Sequence, residues 1–171
     1  ISEKYADERM TEIIEGSGNI NIEDMIAEED MVITITHNGF IKRLPSSGWK
    51  RQKRGGRGMK GADAKDSDFV EHLFIASTHN QIMFFTDKGK CYWLKVHEIP
   101  PAGRASRGRA IVNLIKCDPG EKVKTFVSIK EFSDTEHIIM ATKNGIVKRT
   151  NLSLYSRPRK GGIFAIEVRE N

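Results

Sequence analysis

The chain has 171 residues, 28 Lys and Arg against 23 Asp and Glu, five His, and a formal charge of +5. That length predicts one domain with a modest core, and 38 % apolar residues is lean but too high for a disordered chain. No apolar run reaches the roughly 18 residues of a membrane helix. Cys91 and Cys117, without CxxC spacing, exclude a disulfide scaffold and a cysteine zinc site. The opening residues lack the basic-then-apolar pattern of a leader, so a cytoplasmic location is expected.

In chain order, residues 1–15 (ISEKYADERMTEIIE) are charged, free of Gly and Pro, and read as the end of a helix stopped by Gly16-Ser17-Gly18. Residues 16–30 read as an acidic linker. Residues 1–30 together hold ten acids and two bases, a net of −8, which leaves +13 on residues 31–171. That positive charge is clustered. No acid occurs from Met31 to Ala62, a stretch carrying Lys42, Arg43, Lys50, Arg51, Lys53, Arg54, Arg57 and Lys60. A second acid-free stretch, His137 to Ile166, carries Lys143, Lys148, Arg149, Arg157, Arg159 and Lys160. Concentrated like charge repels itself unless an anion neutralises it, so the leading partner is nucleic acid.

From residue 31 a repeat organises the chain. MVITITHNGFIKRL (31–44), QIMFFTDKGKCYWL (81–94) and IIMATKNGIVKRT (138–150) each run from a strand-like segment through a Thr and a Gly turn into a second strand. The turn glycines Gly39, Gly89 and Gly145 lie 50 and 56 residues apart. Asn38-Gly39 and Asn144-Gly145 suit a two-residue turn with positive φ at both central positions. Each hairpin is followed by a polar Gly- and Arg-rich stretch (45–66, 97–109, 151–162). Another strand-like run comes next: Phe69–Ala76, Ala110–Lys116 and Ile163–Val168. RGRAIVNL (107–114) aligns with GGIFAIEV (161–168) without a gap. The expected fold is all-β, a propeller-like repeat with units near 31–80, 81–137 and 138–171; an ordinary β-sandwich with three similar hairpins is the alternative. Propellers close with four to eight blades, so three units either form part of one or have their open sides filled by another copy.

The first polar stretch, residues 46–66, is longer than a connecting loop requires. Its glycines allow close backbone approach, and its Arg and Lys side chains match phosphate oxygens. It contains no GxxxxGK[ST] motif. Within it, Gln52-Lys53-Arg54-Gly55-Gly56-Arg57-Gly58 resembles the gyrase-A box, the QRRGGRG-type heptapeptide of the C-terminal domain of the DNA gyrase A protein, with Lys53 in place of the usual Arg. DMVITITHNGFIKRLP resembles the opening of that domain's first blade. KYADERMTEI resembles the end of the coiled-coil helix before it, with Met10 at the place of a second Arg.

The resemblance covers essentially the whole chain. It implies part of a six-bladed β-pinwheel, about three blades, that wraps double-stranded DNA on a basic rim. Gln52–Gly58 would be the box, flanked by Lys42, Arg43, Lys50, Arg51 and Lys60. Arg104, Arg107 and Arg109, then Lys148, Arg149, Arg157, Arg159 and Lys160, would continue the DNA path. It further implies a parent heterotetramer with the rest of the DNA gyrase A protein and with the DNA gyrase B protein, near the bacterial nucleoid. No cofactor, metal, small-molecule substrate or catalytic residue is expected in this piece, since the family's catalytic tyrosine belongs to an earlier domain. The rival readings are the equivalent domain of topoisomerase IV, which lacks an intact box, and a basic β-repeat that binds an acidic protein.

Tyr5, Tyr92 and Tyr155 have no accompanying acid or metal motif and are read as packing residues. His37, His72, His79, His97 and His137 show no metal-ligand spacing. Trp49 is expected to anchor the loop beside the box.

Overall fold

The computed structural model describes residues 22–49, 54–55 and 68–168. The expected helix end over 1–15 lies outside them. Within the expected acidic linker, Ile22–Met25 forms a short 3-10 helix.

Ten strands follow among the described residues: β1 Asp30–Thr36, β2 Phe40–Pro45, β3 Val70–Ser77, β4 Gln81–Thr86, β5 Lys90–Lys95, β6 Arg109–Ala110, β7 Val123–Ile129, β8 His137–Ala141, β9 Val147–Asn151 and β10 Ile163–Phe164. The three expected hairpins are present as β1–β2, β4–β5 and β8–β9, all antiparallel. Their turns differ from expectation. Gly39, Gly89 and Gly145 adopt φ of +77°, +75° and +81°, while the only non-glycine residue at positive φ among those described is Lys116. Asn38 and Asn144 therefore stay on the ordinary side of φ. The loops have three residues rather than two, a turn closed by the glycine amide, with the glycine then taking the left-handed conformation.

The threonine before each turn explains the geometry. The glycine N–H donates to its carbonyl (Gly39 to Thr36, 2.9 Å; Gly89 to Thr86, 3.0 Å; Gly145 to Thr142, 3.0 Å). The next amide donates to the same threonine's hydroxyl, from Phe40 at 3.2 Å, Lys90 at 3.3 Å and Ile146 at 3.1 Å. One short polar side chain thus satisfies an amide that the wider loop frees from the ladder.

Two four-stranded sheets have the non-consecutive orders β3-β1-β2-β6 and β7-β4-β5-β10, and β8 and β9 form a two-stranded sheet. β6 comes from the second unit yet pairs with β2 of the first, and β10 from the third pairs with β5 of the second. Each unit therefore contributes the strand that completes its predecessor's sheet. The two pairings share one register, in step with the ungapped alignment of 107–114 with 161–168: Arg109 faces Ile41 and Ala110 faces Phe40, as Ile163 faces Cys91 and Phe164 faces Lys90.

The third strand-like run of each unit needs correction. Phe69–Ala76 corresponds to β3, which pairs back onto β1; its counterpart in the second unit is β7, which pairs back onto β4. Ala110–Lys116 is instead the end of β6 followed by a one-turn helix, α1 Ile111–Leu114. The two kinds of strand have similar apolar content, and hydropathy does not record which neighbour a strand pairs with.

Alternation along β4 joins the sheets. Ile82 and Phe84 point into a core shared with Met31, Ile33, Ile35 and Ile41 of the first sheet. Met83 points the other way, into a second core with Cys91, Ile129, Leu152 and Tyr155, against which Ile138 and Met140 of β8 pack. A strand buried on both faces reads as a continuous apolar run, which is why QIMFF lacks polar alternation.

Close backbone approach at the exchanged strands requires glycine. A Cβ on Gly108, held at φ +90°, would collide with the Ile41 carbonyl, and one on Gly162 would lie 2.9 Å from the Cys91 carbonyl. A Cβ on Gly39 would meet only open space. Gly108→Ala should thus cost about 2 kcal/mol or more, and Gly39→Ala about 1 kcal/mol. Urea midpoints measured at equal m-value report the difference, and equal losses would contradict it.

Candidate nucleic-acid interface

The basic stretch between β5 and β6 forms an arm that lies across the first sheet. Arg43 anchors its start: its amide donates to Pro100 O (3.3 Å), Ala102 N donates to its carbonyl (3.2 Å), and its side-chain Nε donates to Ile99 O (2.6 Å). Farther along, Arg104 donates to the Gly48 carbonyl in the 3-10 turn Ser46–Gly48 and lies 5.7 Å from the Trp49 ring centroid. Trp49 therefore packs beside the arm, while most of the loop it is expected to anchor lies outside the described residues.

Arg107 crosses from the arm to the base of β3. Its Nε donates to Asp68 at 2.9 Å, and its guanidinium stacks 3.8 Å over the Phe40 ring. Asp68 is only 3 % exposed. Burial alone would raise its pKa, but the Asn38 amide (3.0 Å), the Thr36 hydroxyl and Arg107 outweigh it and hold the carboxyl below its usual range. The second unit repeats the device. Buried Glu121 accepts from the Thr86 hydroxyl, from Tyr92 at 2.8 Å and from the Asp118 amide at 3.1 Å. Burial first, then this bond to a carboxylate, raises the Tyr92 phenol pKa. In both units a carboxylate just before the outer strand braces the hairpin threonine.

The arm of the third unit approaches the second unit in the same way. Arg159 and Lys160 line a cleft of about 310 Å³ with Tyr92, Trp93, Glu98 and Lys116. Glu98 ends the 3-10 turn Val96–Glu98, the counterpart of Ser46–Gly48. The second unit's arm thus rests on the turn that ends the first unit's hairpin, and Arg159 and Lys160 of the third unit share a cleft with the corresponding turn of the second.

The expected contact residues separate into groups. Arg109, Arg157, Arg159 and Lys160 are exposed, and their side chains make no hydrogen bond or ion pair among the described residues. Arg54 and Gly55, the described part of the heptapeptide, are exposed, with Gly55 at φ +86°. Arg104 and Arg107 are exposed but tethered. Arg43 is half-buried on Ile99. Lys148 donates to Ala165 O at 2.6 Å, and Arg149 contacts His137 Nδ1 at 3.3 Å. Lys42 must be withdrawn as a surface contact. It is 1 % exposed, and its ammonium bonds three carbonyls of the arm. Lys50, Arg51, Gln52, Lys53, Gly56, Arg57, Gly58 and Lys60 lie outside the described residues.

Sequence reasoning passed over Asp68 and Glu121. The signal was available in part, as the threonine repeated before every turn glycine, but the acid that braces it stands 32 and 35 residues downstream. Tyr155 is buried with its ring centroid 6.5 Å from that of Phe85, and Tyr92 is buried on Glu121. Among the described residues no group of three or more His, Cys, Asp or Glu is placed to hold a metal.

The lowered Asp68 pKa sets the sign of a pH effect. The unfolded chain binds the proton more readily, so the stabilisation is present above the ordinary carboxylate value of 3.8 and is lost as the pH falls through and below it. Thermal melts from neutral pH down to about pH 3 should show a shallower acid limb for Asp68→Asn than for the parent chain, and identical limbs would refute the assignment.

Comparison with known proteins agrees with this architecture. The family described as "DNA gyrase C-terminal domain, beta-propeller" matches residues 30–77, 80–130 and 136–171. The DNA gyrase A protein of Clostridium acetobutylicum is 48 % identical over 171 residues, and that of Halalkalibacterium halodurans 46 % over 170. The chain spans 21 % and 20 % of their lengths. A solved C-terminal domain of DNA topoisomerase IV superposes with a TM-score of 0.71 at 28 % identity, covering 86 % of this chain and 44 % of that one. A solved DNA gyrase A C-terminal domain gives 0.64 at 25 % identity, covering 83 % and 45 %. On these grounds, together with its exchanged strands and threefold repeat, the chain belongs to the DNA gyrase C-terminal domain, beta-propeller family.

Proposed function

We propose that the chain binds duplex DNA without sequence preference and wraps it, giving direction to negative supercoiling by an ATP-hydrolysing type II topoisomerase. The observation that carries this reading is the serial stacking of basic arms, each on the preceding unit's hairpin end, with Arg109, Arg157, Arg159 and Lys160 exposed along them. Bending a duplex costs several kcal/mol, model-dependent, and only many phosphate contacts offset that. Such contacts fix position without reading sequence. The heptapeptide would start the path, and the arms at 104–109 and 157–160 would continue it.

Catalysis is assigned to other parts of a parent assembly containing the rest of the gyrase A protein and the gyrase B protein, and the reaction is not placed in this chain. Both described tyrosines are packed in the interior, which supports that division. A place at the bacterial nucleoid follows from the DNA reading. Among the described residues no helix is long and apolar enough to cross a membrane.

The superposition on a topoisomerase IV domain keeps one rival in view, a domain that binds DNA without a handed wrap. Ligating a nicked circle with the chain bound separates them: a handed shift in linking number supports wrapping, and no shift supports the rival. Arg54→Ala combined with Arg57→Ala should abolish that shift while leaving the thermal transition in place; a variant that fails to fold would make the loop structural instead. Affinity should also fall with salt by about 0.9 log units per log salt for each phosphate neutralised. A flat salt response would exclude phosphate contacts as the basis of binding.

A further inference from the structure

Lys42 was expected to meet DNA and instead sits inside the protein. An ammonium has three N–H donors and no acceptor. All three are used on one short segment of the arm: Gly103 O at 3.1 Å, Arg104 O at 2.7 Å and Ser106 O at 2.6 Å. Removing that charge from water is costly unless every donor is matched, and here each is matched by a carbonyl of the same turn.

The consequence lies on the other side of the turn. In a planar trans peptide the N–H points opposite to the C=O of the same unit, and no cis peptide occurs among the described residues. Drawing the carbonyls of Arg104 and Ser106 inward therefore directs the N–H groups of Ala105 and Arg107 outward. Both residues are exposed, and neither amide donates a hydrogen bond among the described residues. Ser106 N closes the turn on Gly103 O at 3.1 Å, and Gly108 N is taken by Ser106 Oγ at 3.3 Å. Two outward amides thus lie beside exposed Arg109, while the Arg104 and Arg107 side chains turn to Gly48 and Asp68. Outward backbone N–H groups in a basic segment can bind an anion.

We propose that the amides of Ala105 and Arg107 seat a phosphodiester oxygen of duplex DNA, and that buried Lys42 is the residue that positions them. Lys42 thereby contributes its charge to the arm's shape, and the arm contributes the contact. The assignment rests on the reading of the arm as a DNA contact and goes beyond it in naming main-chain donors.

The test is an amide-resolved NMR titration of the whole chain with a short mixed-sequence duplex. Expected are shifts at the Ala105 and Arg107 amides that reverse on adding salt. The seat is overturned if arginine side-chain signals in the arm respond while those two amides stay still. If no arm signal responds at all, the DNA reading itself falls, a different outcome. Lys42→Met then tests the positioning role: loss of the Ala105 and Arg107 response, with that at Arg157 and Arg159 retained, supports it. A folded Lys42→Met chain with an unchanged amide response removes Lys42 from the assignment. Should that variant fail to fold, the titration of the parent chain still decides the seat.

Discussion

The exchange of one strand between neighbouring units is the constraint on which the rest depends. A two-stranded hairpin is marginal in water, and an open sheet edge invites unwanted pairing. Here β6 and β10 cover the edges of β2 and β5, so each four-stranded sheet is completed by the unit that follows. That pairing demands backbone approach too close for any Cβ at Gly108 and Gly162. It also fixes where the preceding polar stretch must run. A loop that leaves one sheet and returns as the edge strand of its neighbour has to cross the junction between them.

The basic arms are therefore topological products rather than surface decoration. Crossing the junction lays each arm on the preceding hairpin end, where polar groups of the lower unit receive it. Arg43 binds the arm's main chain, Asp68 holds Arg107, and Lys42 holds the turn between them. Hydrogen bonds of charged groups are the stronger kind, and several acting on one segment hold it in one arrangement. Arm residues that use their charge for this fixation differ from those whose side chains stay exposed. Arg109, Arg157, Arg159 and Lys160 belong to the second set.

A carboxylate brace recurs with changed chemistry. Asp68 and Glu121 both support the hairpin threonine, but the first adds an arginine from the arm and the second a tyrosine from its own sheet. Tyr92 occupies the position of Lys42 in the repeat, but it donates to the carboxylate brace where Lys42 donates to the arm. The junctions share a backbone plan and differ in how strongly charge enters it.

Much of this was legible in the chain. Threefold hairpins, their turn glycines, the equivalence of residues 107–114 and 161–168 and the clustering of charge followed from local signals: apolar period, turn chemistry and a gapless alignment. The −8 and +13 segments hidden within +5 are a property of order in the sequence and needed no coordinates. Only the tertiary structure decided which strand pairs with which unit, since exchanged and returning strands have similar apolar content. It also decided which basic residues face water. Lys42 and Arg43 sit beside each other in one basic run, yet alternation on β2 sends one ammonium inward and leaves its neighbour half-buried. Sequence counts charges; a charge's role depends on what the fold places within about 3 Å of it, and those partners lie some sixty residues away.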